Sequence, residues 1–155
     1  MRALAACALL VGGIARAACP LGEKNAADTA ISNYVQSLNY PSTRSHVPGL
    51  EKLWERHGRC DAGPLADSFS EAVAKTLASM PPHLEELGQA KKKNPKFYKW
   101  ALGHLDGAAS LDSLKRTQDN ANNACPANAG AMCREIAEKI DKAIDELRLG
   151  KRPQR

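Results

Sequence analysis

Between residues 27 and 147 the apolar side chains recur at intervals of three and four. Nowhere do apolar and polar residues alternate as a half-buried strand requires, and β-branched residues are sparse. That period restricts the chain to packed helices, delimited by its breakers. Ala27, Ile31, Tyr34, Val35 and Leu38 predict an amphipathic helix over 23–39 that stops at Pro41. PSTRSHVPG predicts a loop. Leu50, Leu53, Trp54 and His57 share the next face, which ends at Gly58. After the connection Cys60-Asp61-Ala62-Gly63-Pro64, a stripe of Leu65, Phe69, Ala72, Val73, Thr76, Leu77 and Met80 runs to Pro81-Pro82. A short helix from His83 to Lys93 breaks at Asn94-Pro95. Phe97, Trp100, Ala101, His104 and Leu105 follow, stopping near Asp106-Gly107.

Ser110 is the expected N-cap of a helix to about Ala124, with the face Leu111, Leu114, Gln118, Ala121 and Cys125. The last stripe is Met132, Ile136, Ile140, Ala143, Ile144 and Leu147, with Glu135–Lys139 and Glu138–Lys142 as i,i+4 pairs. The expected fold is all-α, an orthogonal bundle of six or seven short helices.

Compartment follows from the first seventeen residues and from the cysteines. MRALAACALLVGGIARA has a basic start, a short apolar core and a small-x-small site at Ala15-Arg16-Ala17. It reads as a signal peptide cleaved near Ala17, which makes the product periplasmic or secreted. The expected organisation is a signal peptide over 1–17, one helical domain over 18–150 and a disordered basic tail over 151–155. Cleavage removes Cys7 and leaves Cys19, Cys60, Cys125 and Cys133. An even set in an exported chain implies disulfides, with three possible pairings. We favour Cys125–Cys133, which closes a short loop between two helical patterns, and Cys19–Cys60, which ties the mature N-terminus to an irregular connection. Lipidation of Cys19 would strand one thiol, and Arg16 stands where a lipobox wants a leucine-like residue.

Catalytic and cofactor motifs are absent. There is no GxSxG elbow, HExxH, P-loop or GxGxxG, and no paired CxxC for zinc or redox work. No catalytic residue, metal or cofactor is therefore assigned. His104 and Asp106 are two apart, so a helix turns them away from each other, and His104 falls on an apolar stripe as an interfacial histidine would. A small hydrolase built on His104, Asp106 and His57 stands as an alternative. The amide-rich 118–128 stretch reads as a polar helix end and loop.

The most unusual segment is KKKNPKFYKW at 91–100, with five lysines and three aromatics. Lys91, Lys92 and Lys93 suit a helix C-terminus, but Lys96 and Lys99 fall in the next helix's first turns, where cations are unfavourable. With Tyr98 and Trp100 these lysines form a candidate docking patch for an acidic envelope protein. Anionic lipid is a further partner class, and a saposin-like lipid binder a further alternative. Nucleic acid is not expected. Signal cleavage takes away Arg2 and Arg16 and no acid, leaving +3, which Lys151, Arg152 and Arg155 account for. A small exported helical domain with disulfides and no catalytic constellation is similar in outline to periplasmic immunity proteins that block type VI amidase toxins. The similarity is of class only and assigns no residue. The expected function is non-catalytic protein–protein binding, as an inhibitor, immunity-type protein or adaptor.

Overall fold

The computed structural model describes residues 19–39 and 46–151. The signal peptide expected over 1–17, most of the loop expected after Pro41, and the tail from Arg152 lie outside the described residues. Seven α-helices are present among those described: α1 (Leu21–Ser37), α2 (Val47–His57), α3 (Pro64–Ser79), α4 (Pro82–Lys93), α5 (Pro95–Gly103), α6 (Leu111–Asn123) and α7 (Gly130–Arg148). One 3₁₀ turn, Gly58–Cys60, follows α2. Among the described residues there is no strand.

Four helices carry proline at their start, at 48, 64, 82 and 95, where its missing N–H costs no hydrogen bond. This explains a boundary that differs from expectation. The turn residues around Pro48 predict a loop, yet Pro48 sits in the first turn of α2, which starts at Val47. α1 ends at Ser37, before Pro41, in a turn at Leu38 and Asn39. Ser110 caps α6 as expected, accepting from the Ser113 amide at 3.3 Å.

α3 is the axis of the core. Ten of its sixteen residues are buried, and a stripe through Pro64, Ser68, Glu71, Lys75 and Ser79 reaches toward solvent. α6 packs on it on one side and α1 on another, while α2 and α4 touch it and α7 closes over α6. Ala66, Ala72, Ala74 and Ala78 let those neighbours approach closely. Met80, predicted to continue the stripe, is 43% exposed because the chain turns extended there. α6 is rotated from the expected face: Leu114, Thr117 and Ala121 are buried, whereas Leu111 is 44% exposed and Gln118 reaches Asp141 instead. The rotation is stabilised by polar contacts. Thr117 Oγ1 bonds the Ala74 and Ser113 carbonyls, both at 2.9 Å, and Asn120 donates to the Leu77 carbonyl at 2.8 Å, satisfying the end of α3.

Both expected disulfides are present, Cys19–Cys60 and Cys125–Cys133. In the chain-entropy account, loops of these lengths stabilise by about 4 and about 2.5 kcal/mol. On α7 the expected ion pairs are replaced. Lys142 pairs forward with Glu146 at 3.9 Å, and Glu135 is taken by Tyr98 and Lys91.

Candidate functional site

The ten residues from Lys91 to Trp100 turn a corner between α4 and α5. Asn94 makes that corner. Its side chain accepts from the Phe97 amide at 3.2 Å, capping α5, and donates to Glu51 of α2 at 2.8 Å. The structure divides the predicted patch in two. Tyr98 is withdrawn from it, at 5% exposure, because α5 turns that face onto the core. Its hydroxyl donates to Glu135 at 2.7 Å, and Lys91 lies 4.6 Å from the Tyr98 ring centre and 3.3 Å from the same carboxylate. The hydrogen bond from Tyr98, helped by Lys91, holds the Glu135 carboxyl below its usual range, while burial pushes the Tyr98 hydroxyl up.

Trp100 is withdrawn as well. Its ring packs against Trp54, Phe69, Phe97 and His104, at centroid distances of 6.2, 5.3, 5.8 and 4.6 Å, and its indole N–H donates to Asp61 at 2.8 Å. Lys92, Lys93, Lys96 and Lys99 remain at the surface, and none is ion-paired with another described residue. Lys96 is the second residue of α5, so the partial positive charge of that helix end opposes it.

Beside the corner, a cleft of about 390 Å³ lies between α4 and the start of α7. Met132, Ala129, Ala131 and Gly88 supply apolar surface, and Glu85, Lys91 and Lys92 supply charge.

A second polar constellation lies in the core and was not foreseen. His104 is 3% exposed, as an interfacial histidine should be. Both ring nitrogens are engaged, Nδ1 by Ser70 at 2.9 Å and Nε2 by Asp61 at 2.9 Å. Asp106 sits in the helix-ending turn, where it accepts from the Ala108 amide at 3.1 Å. A serine, a histidine and an aspartate in one chain invite comparison with a hydrolytic triad. The geometry argues otherwise. Ser70 is fully buried, its hydroxyl also lies 3.1 Å from the Ala66 carbonyl, and the imidazole presents Nδ1 to the serine, the reverse of the usual triad. A substrate carbonyl has no approach to Ser70 Oγ in this conformation. The chain instead joins α3, α5 and the Cys60-Asp61 connection.

Sequence reasoning missed Asp61 and Ser70. The available signal was Ser70 itself, a hydroxyl within the apolar run of α3, which implies a buried partner.

The third cluster joins α1, α2, α3 and α4. The Tyr34 hydroxyl bridges the His46 carbonyl at 3.0 Å and the Thr76 hydroxyl at 2.8 Å. His83, 2% exposed, donates through Nδ1 to the Thr76 carbonyl at 2.8 Å, and its ring meets His46 edge-on at 5.2 Å. Burial raises the Tyr34 hydroxyl, while burial and the neighbouring His83 hold His46 below its usual pKa. The donor atoms of Cys19, Glu23 and Cys60 also lie within 4.8 Å of one another, but the two sulfurs are joined to each other and have no thiolate to offer a metal.

Comparison with protein-family models, with curated proteins and with solved structures gave no match.

Proposed function

We propose that this chain is an exported, non-catalytic binding protein of the cell envelope. In this reading it docks an acidic protein partner at the α4–α5 corner, as an inhibitor, an immunity-type protein or an adaptor. The observation that carries the reading is the state of four lysines. Lys92, Lys93, Lys96 and Lys99 lie within five residues of Asn94, are exposed, and have no carboxylate partner among the described residues. Folding has no use for Lys96 at that helix end, so a partner's negative charge is the interaction that favours it. The two disulfides suit an oxidising compartment and support the export reading drawn from residues 1–17.

The test is capture from envelope extract with the mature oxidised chain, followed by titration against the purified partner. The expected result is salt-sensitive binding that weakens at least about tenfold in the double variant Lys96→Glu, Lys99→Glu, since close interfacial charge pairs couple by more than about 1.4 kcal/mol. Binding that ignores both salt and charge reversal refutes the docking surface. Absence of any protein partner refutes the reading.

A further inference from the structure

We propose that the cleft between α4 and the start of α7 is the anchor pocket for the acidic partner, taking one aromatic side chain flanked by carboxylates. The proposal rests on the docking reading above and names what that partner inserts beside the lysine corner. The cleft holds about 390 Å³, which is room for a large side chain.

Gly88 is the observation that carries it. It is the seventh residue of the twelve in α4, and helix interiors disfavour glycine. Its backbone does not call for glycine, since among the described residues positive φ occurs only at Gly63 and Gly150. Packing does not call for it either. A Cβ at position 88 would meet only Met132, at 3.5 Å from Sδ and 3.6 Å from Cε, which is ordinary contact. Alanine would fit and would strengthen the helix. What glycine keeps is open space over Met132 inside the cleft.

The walls select the occupant. Met132 offers a thioether, which attracts aromatic rings, and Ala129 and Ala131 add apolar surface. Gln89 and Asn128 are exposed at the rim, and their side chains make no hydrogen bond among the described residues, so both can serve a peptide backbone. Charge gives the cleft a direction. Lys91 and Lys92 stand at the end next to the corner, and Glu85 lies about 10 Å away, two turns earlier on α4. Lys91 already shares Glu135, whereas Lys92 pairs with no described carboxylate. The lysine end continues into Lys93, Lys96 and Lys99, so a bound segment points its acids toward the corner. The Cys125–Cys133 disulfide spans the loop that carries Asn128 and Ala129, which fixes that wall before a partner arrives.

The experiment is an NMR titration of the isotope-labelled mature oxidised chain with three capped pentapeptides. Their sequences are Glu-Glu-Phe-Glu-Glu, Glu-Glu-Ser-Glu-Glu and Lys-Lys-Phe-Lys-Lys. The first is expected to shift the amides of Gly88, Ala131 and Met132. The serine peptide binds about tenfold more weakly or worse, and the lysine peptide leaves the cleft unshifted. Gly88→Leu fills the cleft and weakens the first peptide at least about tenfold, with circular dichroism checking that the fold is kept. Gly88→Ala weakens it too, yet raises the thermal midpoint by about 2–5 °C. A glycine needed by the fold would lower that midpoint instead. Lys96→Glu with Lys99→Glu leaves the shifts centred on Gly88 and Met132, so failure of the corner and failure of the cleft show separately. No shift at the cleft overturns the proposal. So does equal binding of the serine or lysine peptide, wild-type binding by Gly88→Leu, or a lowered midpoint in Gly88→Ala. Shifts confined to Lys96 and Lys99 overturn it and leave the docking reading standing. A concentration-dependent dimer that Gly88→Leu dissociates also overturns it, in favour of a second copy.

Discussion

Replacing Asp61 by alanine tests the core polar chain most directly. Its Oδ2 atom accepts from the Trp100 indole N–H at 2.8 Å and from His104 Nε2 at 2.9 Å. Alanine leaves both donors without that acceptor. A buried donor left unsatisfied costs about 1–3 kcal/mol. His104 is almost fully buried and belongs at the upper end, while Trp100 is half-buried and belongs at the lower. The sum is about 3–4 kcal/mol, a large share of the about 5–15 kcal/mol that holds a domain of this size.

Asp61→Asn keeps an acceptor oxygen and should lose about half as much. The assay is urea unfolding at neutral pH with disulfides intact, followed by tryptophan fluorescence, since Trp100 reports on its own partner. A double-mutant cycle with His104→Ala should return a coupling of at least about 1 kcal/mol. A loss under about 1 kcal/mol in Asp61→Ala, at unchanged slope, would falsify the assignment of Asp61 as the anchor of this chain.

Three further outcomes are expected. Pairing Cys19→Ser with Cys60→Ser should destabilise by about 4 kcal/mol and Cys125→Ser with Cys133→Ser by about 2.5 kcal/mol, so reversal of that order in chemical unfolding contradicts the loop-length argument. His46 is held below its ordinary pKa of 6.5, so the unfolded chain takes its proton first. Its contribution is complete above that pH and is lost as pH falls through the folded value, and His46→Gln should flatten the acid limb of stability against pH, whereas parallel curves count against it. Gly58→Ala brings a Cβ to 2.7 Å from Trp54 Cδ1, and the displaced indole should cost about 1–3 kcal/mol in melting or denaturant experiments; an unchanged midpoint would show that the ring moves freely.

Much of the local structure was legible because local signals carry it. Prolines mark helix starts, Ser110 caps α6, and the stripe from Met132 to Ile144 is buried as its period implies. The disulfide pairing was legible from which cysteines flank a short loop and which precedes the first helix. The functional candidates were less so. All five lysines of the 91–99 run reach the surface, but Tyr98 turned inward to Glu135 and Trp100 joined an aromatic cluster. A sequence window shows that Tyr98 and Trp100 are amphipathic, but not which of their ends meets water.

The chain by itself therefore determined its helices, their stops and the covalent staples, since each depends on residues near one another or on chemistry that few residues share. Tertiary structure alone decided who stands opposite whom. Period tells that His104 faces inward, but its partners come from 34 and 43 residues away. α6 turned Thr117 rather than Gln118 to the core because the Ala74 carbonyl of α3 was there to receive it. Leu111 and Leu147 came to line one groove because α6 packs beside α7. A helical stripe fixes a direction, and only packing supplies what lies in that direction.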